Sequence, residues 1–168
     1  MTHLEIDSAI VTLTRQACEA CKKRLDTIPK ENGTERKAIL LELGMYTLCG
    51  NAGLLFNASK REEIFNTRLK VIKRILVKYP KLNQAFLNLS SEEQMTFFAA
   101  LQGEIFIRDQ ILCKYRSELT QAETAGDTKN VFELSIKIGA ILKMFDVWNN
   151  WRAENQIYPH ILEEMDHE

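Results

Sequence analysis

Glycine and proline are scarce in this chain of 168 residues, which contains 7 glycines and 3 prolines. The prolines are Pro29, Pro80 and Pro159. Because these two residue types are the strongest breakers of regular structure, long stretches without them favour helices over many short strands. The sequence therefore predicts an all-α fold.

The chain also lacks an excess of charge of either sign. Its 22 basic and 23 acidic residues give a formal net charge of −1, which provides no global attraction to nucleic acid or to an anionic membrane. Hydrophobic residues make up 45% and charged residues 27%, an ordinary balance for a globular protein. Any electrostatic function must therefore come from a local patch.

Long hydrophobic runs are missing as well. No run of about 18 uncharged apolar residues is present, so we expect no membrane-spanning helix and no membrane partner. The first residues, "MTHLEIDSAI", have neither a basic segment nor an apolar core of the kind found in signal peptides. We expect a cytoplasmic protein in which 1–168 form a single helical domain, with a frayed acidic tail at 160–168.

Sequence motifs typical of catalysis or cofactor binding are missing too. There is no Gly-x-Ser-x-Gly, no glycine-rich phosphate loop and no His-Glu-x-x-His. Glu164 and His167 have the Glu-x-x-His spacing of di-iron bundles, but such sites need a second copy and two further carboxylates. The sequence therefore predicts no cofactor and no metal and leans against an enzyme. An enzyme or metal-binding bundle with dispersed ligands stays open as a less favoured alternative.

One Cys-x-x-Cys pair, Cys18 and Cys21, is present in "QACEACKKR". A redox pair places its first thiol at a helix N-terminus, and a structural zinc site needs four ligands. This pair falls several turns inside a predicted helix, on its apolar face, and Cys49 and Cys113 are isolated in sequence. We interpret both thiols as small core side chains, with zinc binding and redox exchange as the weaker alternatives.

Apolar residues recur at helical spacing through most of the chain. Thr34 is the expected N-cap of the second helix, and Pro80 is expected to stop the third. Ser91 with Gln94 has the spacing of a capping box. Gly126 is expected to end the fourth helix. The predicted helices span about 4–27, 35–50, 60–79, 92–124 and 129–154, with Asp127 or Thr128 capping the last.

The fifth predicted helix, "VFELSIKIGAILKMFDVWNNW", is apolar around almost its whole circumference. Such a helix lies in the centre of a bundle or is covered by a partner. The second helix is also largely apolar, and the small residues from Gly50 to Gly53 are expected to end it or to allow close approach of another helix. The expected architecture is a single compact bundle of five main helices plus one or two short ones, with an apolar central helix.

These helices offer more apolar surface than a minimal bundle needs, which favours a non-enzymatic protein–protein interaction module. Such a module would be an adaptor, a regulator or a secretion-type chaperone that binds a protein partner, or a second copy of itself, through an apolar helical surface. Aromatic residues near the end of the fifth helix are both core candidates and interface candidates. The candidate partner-binding residues are Trp148, Trp151 and Tyr158.

The helix at 60–81 carries the clearest local cluster of positive charge. On a helical wheel, Lys70, Lys73, Arg74 and Lys78 lie opposite the apolar stripe. A solvated helix face is the favoured interpretation. The alternative function is a nucleic-acid-associated regulator that uses this basic patch to contact phosphates.

Overall fold

The computed structural model describes residues 3–51 and 106–154, together with 66, 74, 77, 80, 84, 87–91 and 94, and of 3–10, 152 and 153 it describes the backbone alone. The described residues form helices and turns, with no β-strand among them, which confirms the all-α prediction. The predicted count of five main helices stays a prediction. Within the described ranges the α-helices are α1 (His3–Thr27), α2 (Gly33–Gly50), α3 (Cys113–Ala125) and α4 (Thr128–Glu154).

Helices α1 and α2 form an antiparallel hairpin whose turn is closed by Asn32. The Asn32 side chain accepts a hydrogen bond from the backbone N–H of Glu35 and donates one of 2.6 Å to the Glu35 carboxylate. This reciprocal pair satisfies a free backbone donor at the start of α2. The prediction that Thr34 caps this helix is therefore wrong, since the N-cap is Asn32, two residues earlier.

The hairpin is also fixed by Arg36, which reaches from the first turn of α2 to the end of α1. Its guanidinium donates to the carbonyl oxygens of Leu25 (3.0 Å) and Ile28 (2.9 Å). The last carbonyls of a helix have no partner within the helix, and a cation there also complements the helix dipole. One side chain of α2 thus provides the C-terminal cap of α1.

Helices α2 and α4 run parallel to each other, because residues near the start of α2 contact residues near the start of α4, and later residues contact later ones. Lys37 pairs with Glu133 near the start of both helices, and Glu42 lies 3.7 Å from Lys143 further along. Helix α4 contacts α1, α2 and α3, the position expected of the predicted apolar central helix.

A π-helical turn, Ile107–Leu112, precedes α3. Ile107 and Leu112 are both buried although they are five residues apart. In a regular α-helix this separation rotates a side chain by about 140°, away from the core. The i→i+5 hydrogen bonding of a π-helix brings the two residues onto one face. In this part of the long helix predicted over 92–124 the chain stays helical from 106 to 125, with six residues in π-helical instead of α-helical geometry.

The turn between α3 and α4 follows the prediction for this region. Gly126 adopts a left-handed conformation with φ of 69°, and the N–H of Asp127 donates to the carbonyl of Ala122 at 2.9 Å. This is the hydrogen bonding of a glycine-terminated helix. Asp127 then accepts from the backbone N–H of Asn130 at 3.1 Å and caps α4.

Two predicted boundaries in the central part of the chain need correction. Pro80 is itself helical, so it does not stop the third predicted helix at 79. The backbone N–H of Gln94 donates to the carbonyl of Ser90 at 2.9 Å, so Ser90 is the residue before the helix and Ser91 already belongs to it.

One hydrophobic core joins the described helices. Its largest fully buried side chains come from α2, the π-helical turn and α4, and half-buried residues of α1 and α3 pack against them. Burying a large apolar side chain contributes about 1.5–3 kcal/mol, so this cluster is the main source of stability for the described helices. These fully buried residues are Ile39, Tyr46, Ile107, Ile141, Met144 and Trp148.

Candidate functional site

The Cys-x-x-Cys pair lies where α1 packs on α2. Cys21 is only 1% exposed, and the half-buried Cys18 has its Sγ atom 3.8 Å from the hydroxyl of Thr47. Burial, with the nearby carboxylate of Glu42, raises the pKa of Cys21 above its ordinary value. Redox thiols need a lowered pKa, so Cys21 agrees with the interpretation as a core side chain, and Cys18 packs against the same core. No group of three or more metal-binding side chains occurs in the described part of the chain.

The candidate aromatic residues separate into different environments. Trp148 is 1% exposed and packs against Phe145, with ring centroids 5.8 Å apart. Its indole N–H is buried and has no hydrogen-bond partner among the described residues. Trp151 is half-buried, and Tyr158 lies outside the described residues. Trp148 thus belongs to the core, and the role of the other two in partner binding stays a prediction.

The predicted basic patch falls mostly outside the described residues. Arg74 is helical and exposed, while Lys70, Lys73 and Lys78 are not described. A nucleic-acid interface on this helix therefore stays a prediction.

A cavity of about 330 Å³ opens where α1, α2 and α4 meet. Its walls are mainly aliphatic, with a thiol, a tyrosine ring and a few charged or amide groups. The volume lies at the lower end of the range found for small-ligand sites in proteins. The lining residues are Leu13, Gln16, Ala17, Ala20, Cys21, Arg24, Glu42, Tyr46, Lys143, Met144 and Val147.

Glu42 is the electrostatic centre of this cavity. One carboxylate oxygen accepts a hydrogen bond of 2.5 Å from the Tyr46 hydroxyl, and the other accepts one of 3.1 Å from the Arg24 guanidinium. The Lys143 ammonium lies 3.7 Å away. The Glu42 side chain is 17% exposed, whereas Arg24 and Lys143 are more than half exposed. One shielded anion is therefore surrounded by two cations at the mouth of the cavity.

These contacts shift the pKa values of Glu42, Tyr46 and Arg24. Partial burial alone would raise the pKa of Glu42, but the hydrogen bonds from Tyr46 and Arg24 outweigh it and lower that pKa. Burial and the hydrogen bond to Glu42 raise the pKa of Tyr46 far above its ordinary value. The hydrogen bond to Glu42 raises the pKa of Arg24. At neutral pH the cavity therefore holds a carboxylate, a neutral phenol and two cations, with a net charge of +1.

Within this cluster, Arg24 and Lys143 are far from Glu42 in the sequence, and only Glu42 carries a local signal. Glu42 is the only charged residue in the apolar segment "AILLELGMYTLC", and Tyr46 follows it by one helical turn. A lone acid among buried positions, with a hydrogen-bond donor at i+4, is a local signal that a partner must exist. The partners on α1 and α4 depend on helix packing, which the local signal does not contain.

A second feature is the side of α4 that points away from the core. It presents Phe132, Ser135, Gly139, Leu142 and Asp146, all exposed, and we call these five residues the outer face of α4. Their spacing of three and four residues places them within an arc of about 80°, opposite the buried Ile141 and Trp148. The outer face of a solvated helix normally carries charged residues, but this one carries a single charge.

The outer face of α4 continues into an open groove of about 650 Å³ near the turn between α3 and α4. The apolar part of the groove is formed by Val131, Phe132 and Ile136, and Phe132 is 38% exposed. Exposed apolar surface therefore lies near the start of α4, around Phe132, and again further along the same face at Leu142.

No protein-family model matches this chain, and no curated protein or solved structure shows significant similarity to it. Among the described residues, no helix is both long enough and apolar enough to cross a membrane.

Proposed function

We propose that this protein is a non-enzymatic interaction module that binds an amphipathic helix of a partner protein along the outer face of α4. The proposal rests on one observation. The solvent-facing side of α4 carries apolar and small residues where a solvated helix normally carries charged ones. Leu142 is 37% exposed and Phe132 is 38% exposed. Exposed apolar stripes of this kind are typical of helix-docking sites.

The small residues in the middle of the outer face favour a helix as the occupant. A Cβ atom added at Gly139 would meet nothing within 4 Å, so the structure itself does not require a glycine there. An exposed glycine in a helix costs about 1 kcal/mol relative to alanine. With Ser135 one turn away, Gly139 leaves a depression into which the side-chain ridge of a second helix can pack. From 132 to 146 the face is about 21 Å long, enough for four turns of a partner helix.

The position of Asp146 favours a partner protein over a second copy of this chain. In a parallel pairing of two α4 helices, Asp146 would face Asp146. In an antiparallel pairing centred on Gly139, it would face Phe132. Both arrangements leave the carboxylate without a cation from the other outer face, which is costly in an interface. A partner helix with a basic residue opposite Asp146 avoids this cost.

The same interaction module fits the cytoplasm, which we propose as its compartment because the four cysteines are free thiols.

Photo-crosslinking tests the proposed function directly. We would replace Ser135 with p-benzoylphenylalanine, irradiate the protein in lysate of its native cells, and map the crosslinked segment by mass spectrometry. The expected product joins position 135 to an amphipathic helical segment of another protein. A crosslink only to a second copy of this chain, or none at all, would contradict the proposal.

The mapped segment would then be synthesised and its affinity measured by fluorescence anisotropy. Leu142→Glu replaces one of the two apolar side chains of the outer face by a charge and is expected to weaken binding at least about tenfold, which corresponds to 1.4 kcal/mol. Val11→Glu is the matched control, since Val11 is also an exposed apolar residue but belongs to α1. Equal affinities for the two variants would show that the segment does not bind the outer face.

A further inference from the structure

A separate site follows from the cavity between α1, α2 and α4. Its floor and walls are made mainly of aliphatic side chains, including Leu13, Ala17, Met144 and Val147. Its charged groups are gathered at the mouth, around Glu42. Apolar walls with a few convergent polar groups are the usual composition of a small-molecule site.

The charged groups at the mouth of the cavity determine whether an anionic or a cationic ligand fits. Glu42 is already engaged by Tyr46, Arg24 and Lys143, so it has little capacity left for a cationic ligand. Arg24 carries five N–H donors and Lys143 three, more than one carboxylate can accept. The mouth therefore has free donor capacity and one unbalanced positive charge.

We propose that this cavity binds a small amphipathic carboxylate, with its apolar chain among the aliphatic walls and its carboxylate accepting from the N–H donors of Arg24 and Lys143 that Glu42 does not use. The volume of about 330 Å³ sets the size of the ligand. At about 30 Å³ for a water-sized group, the cavity holds about ten non-hydrogen atoms. Octanoate, with eight carbons and two oxygens, has this size and this distribution of charge.

The site is independent of the outer face of α4, since none of the five outer-face residues lines the cavity. The protein would therefore combine a surface for a partner helix with a pocket for a small anion. The two proposals can fail separately, because one is tested with a helical segment and the other with a fatty carboxylate.

Isothermal titration calorimetry with octanoate, octanol and octylammonium tests the ligand class. Octanoate is expected to bind with a Kd of about 1 mM or tighter and at least about tenfold more tightly than the other two. Octanol shares the chain but lacks the charge, and octylammonium reverses it. Equal affinities for all three, or no binding of octanoate, would overturn the proposal.

Two variants locate the site. Lys143→Glu changes the charge at the mouth from +1 to −1 and is expected to weaken octanoate binding at least about tenfold. Lys22→Glu makes the same change on the exposed surface of α1, outside the cavity, and should leave binding unchanged. Unaltered binding by Lys143→Glu, or equal losses in both variants, would show that octanoate binds elsewhere.

A third variant tests the cavity without changing any charge. Ala17→Leu adds three carbons to a half-buried wall residue and fills part of the space. It is expected to weaken octanoate binding severalfold while the thermal unfolding midpoint stays the same or rises, since filling a cavity commonly stabilises a protein. Retained affinity in a folded Ala17→Leu protein would count against the cavity as the site.

Discussion

Glu42 connects three helices, because its carboxylate contacts Arg24 of α1, Tyr46 of α2 and Lys143 of α4. We expect Glu42→Gln to lower the free energy of unfolding by about 1–2 kcal/mol. Hydrogen bonds to a charged group contribute more than neutral ones, but the exposure of Arg24 and Lys143 to water reduces the ionic part. Urea unfolding followed by circular dichroism at pH 7 measures the change.

Glu19→Gln is the control for this prediction. Glu19 is exposed on α1, and loss of an exposed charge normally changes stability by less than about 0.5 kcal/mol. If both variants unfold at the same urea concentration, the Glu42 cluster does not hold the three helices together. Tyr46→Phe should lower the free energy of unfolding less in the Glu42→Gln protein than in the wild type, because the two residues share one hydrogen bond.

The contrast between Cys21 and Glu42 shows which residues of the candidate site could be predicted from the sequence. The burial of Cys21 follows from its phase on the apolar face of α1, which is a property of one helix. The role of Glu42 requires knowing that Arg24 and Lys143 approach it from other helices. They are 18 and 101 residues away in the chain, and no local pattern relates them.

At the scale of a helix, two of the three glycines of α2 have opposite surroundings. At Gly50 an added Cβ would lie 2.7 Å from the Cγ2 atom of Thr14, whereas at Gly44 it would meet nothing within 4 Å. Thr14 is buried and β-branched, so its methyl group cannot move away easily. Gly50→Ala is therefore expected to destabilise the protein by about 1–3 kcal/mol, through separation of α1 from α2.

Gly44→Ala is the matched variant on the same helix. Gly44 is exposed in the interior of α2, where alanine is favoured over glycine by about 1 kcal/mol, so this change is expected to stabilise the protein by about 0.5–1 kcal/mol. Urea unfolding of both proteins would give midpoints on opposite sides of the wild type. Shifts in the same direction would show that the close approach at Thr14 does not restrict residue 50.

Helix boundaries were predictable where a local signal fixes them. The sequence places the end of α3 at Gly126 and the cap of α4 at Asp127 or Thr128, because left-handed glycine and side-chain capping are local chemistry, and the structure has Asp127 as the cap. The π-helical turn was not predictable, since a hydrophobic pattern that drifts by one residue resembles an ordinary irregularity of an amphipathic helix. It becomes recognisable only when Ile107 and Leu112 are both found in the core.

At the scale of the molecule, the sequence predicts which helix faces are buried but not how the helices are ordered. The apolar circumference of α4 indicates a central helix, and the structure shows α1, α2 and α3 packed against it. The parallel arrangement of α2 and α4 depends on contacts between residues far apart in the chain, in the shared core and in exposed pairs such as Lys37 with Glu133, which lie 96 residues apart. The packing of α1, α2 and α4 forms the cavity, and the other described helices leave the outer face of α4 uncovered.

The pH dependence of stability reports on the whole set of packed helices. Ion pairing and hydrogen bonds hold the pKa values of Glu42 and Glu133 below their ordinary range, so folding gains stability above about pH 4.3 that is lost as the pH falls through the lowered values. Burial raises the pKa values of Cys21 and Tyr46. Their contribution is present below about pH 8.5 for the thiol and about pH 10 for the phenol, and it is lost at higher pH, because the unfolded chain ionises first.

We therefore expect the free energy of unfolding, measured with urea from pH 3 to 11, to form a plateau between about pH 5 and 8 with a fall on each side. Glu42→Gln should flatten the acid fall and Cys21→Ala the beginning of the alkaline fall, and a profile that neither variant alters would show that these groups are not packed as the structure has them.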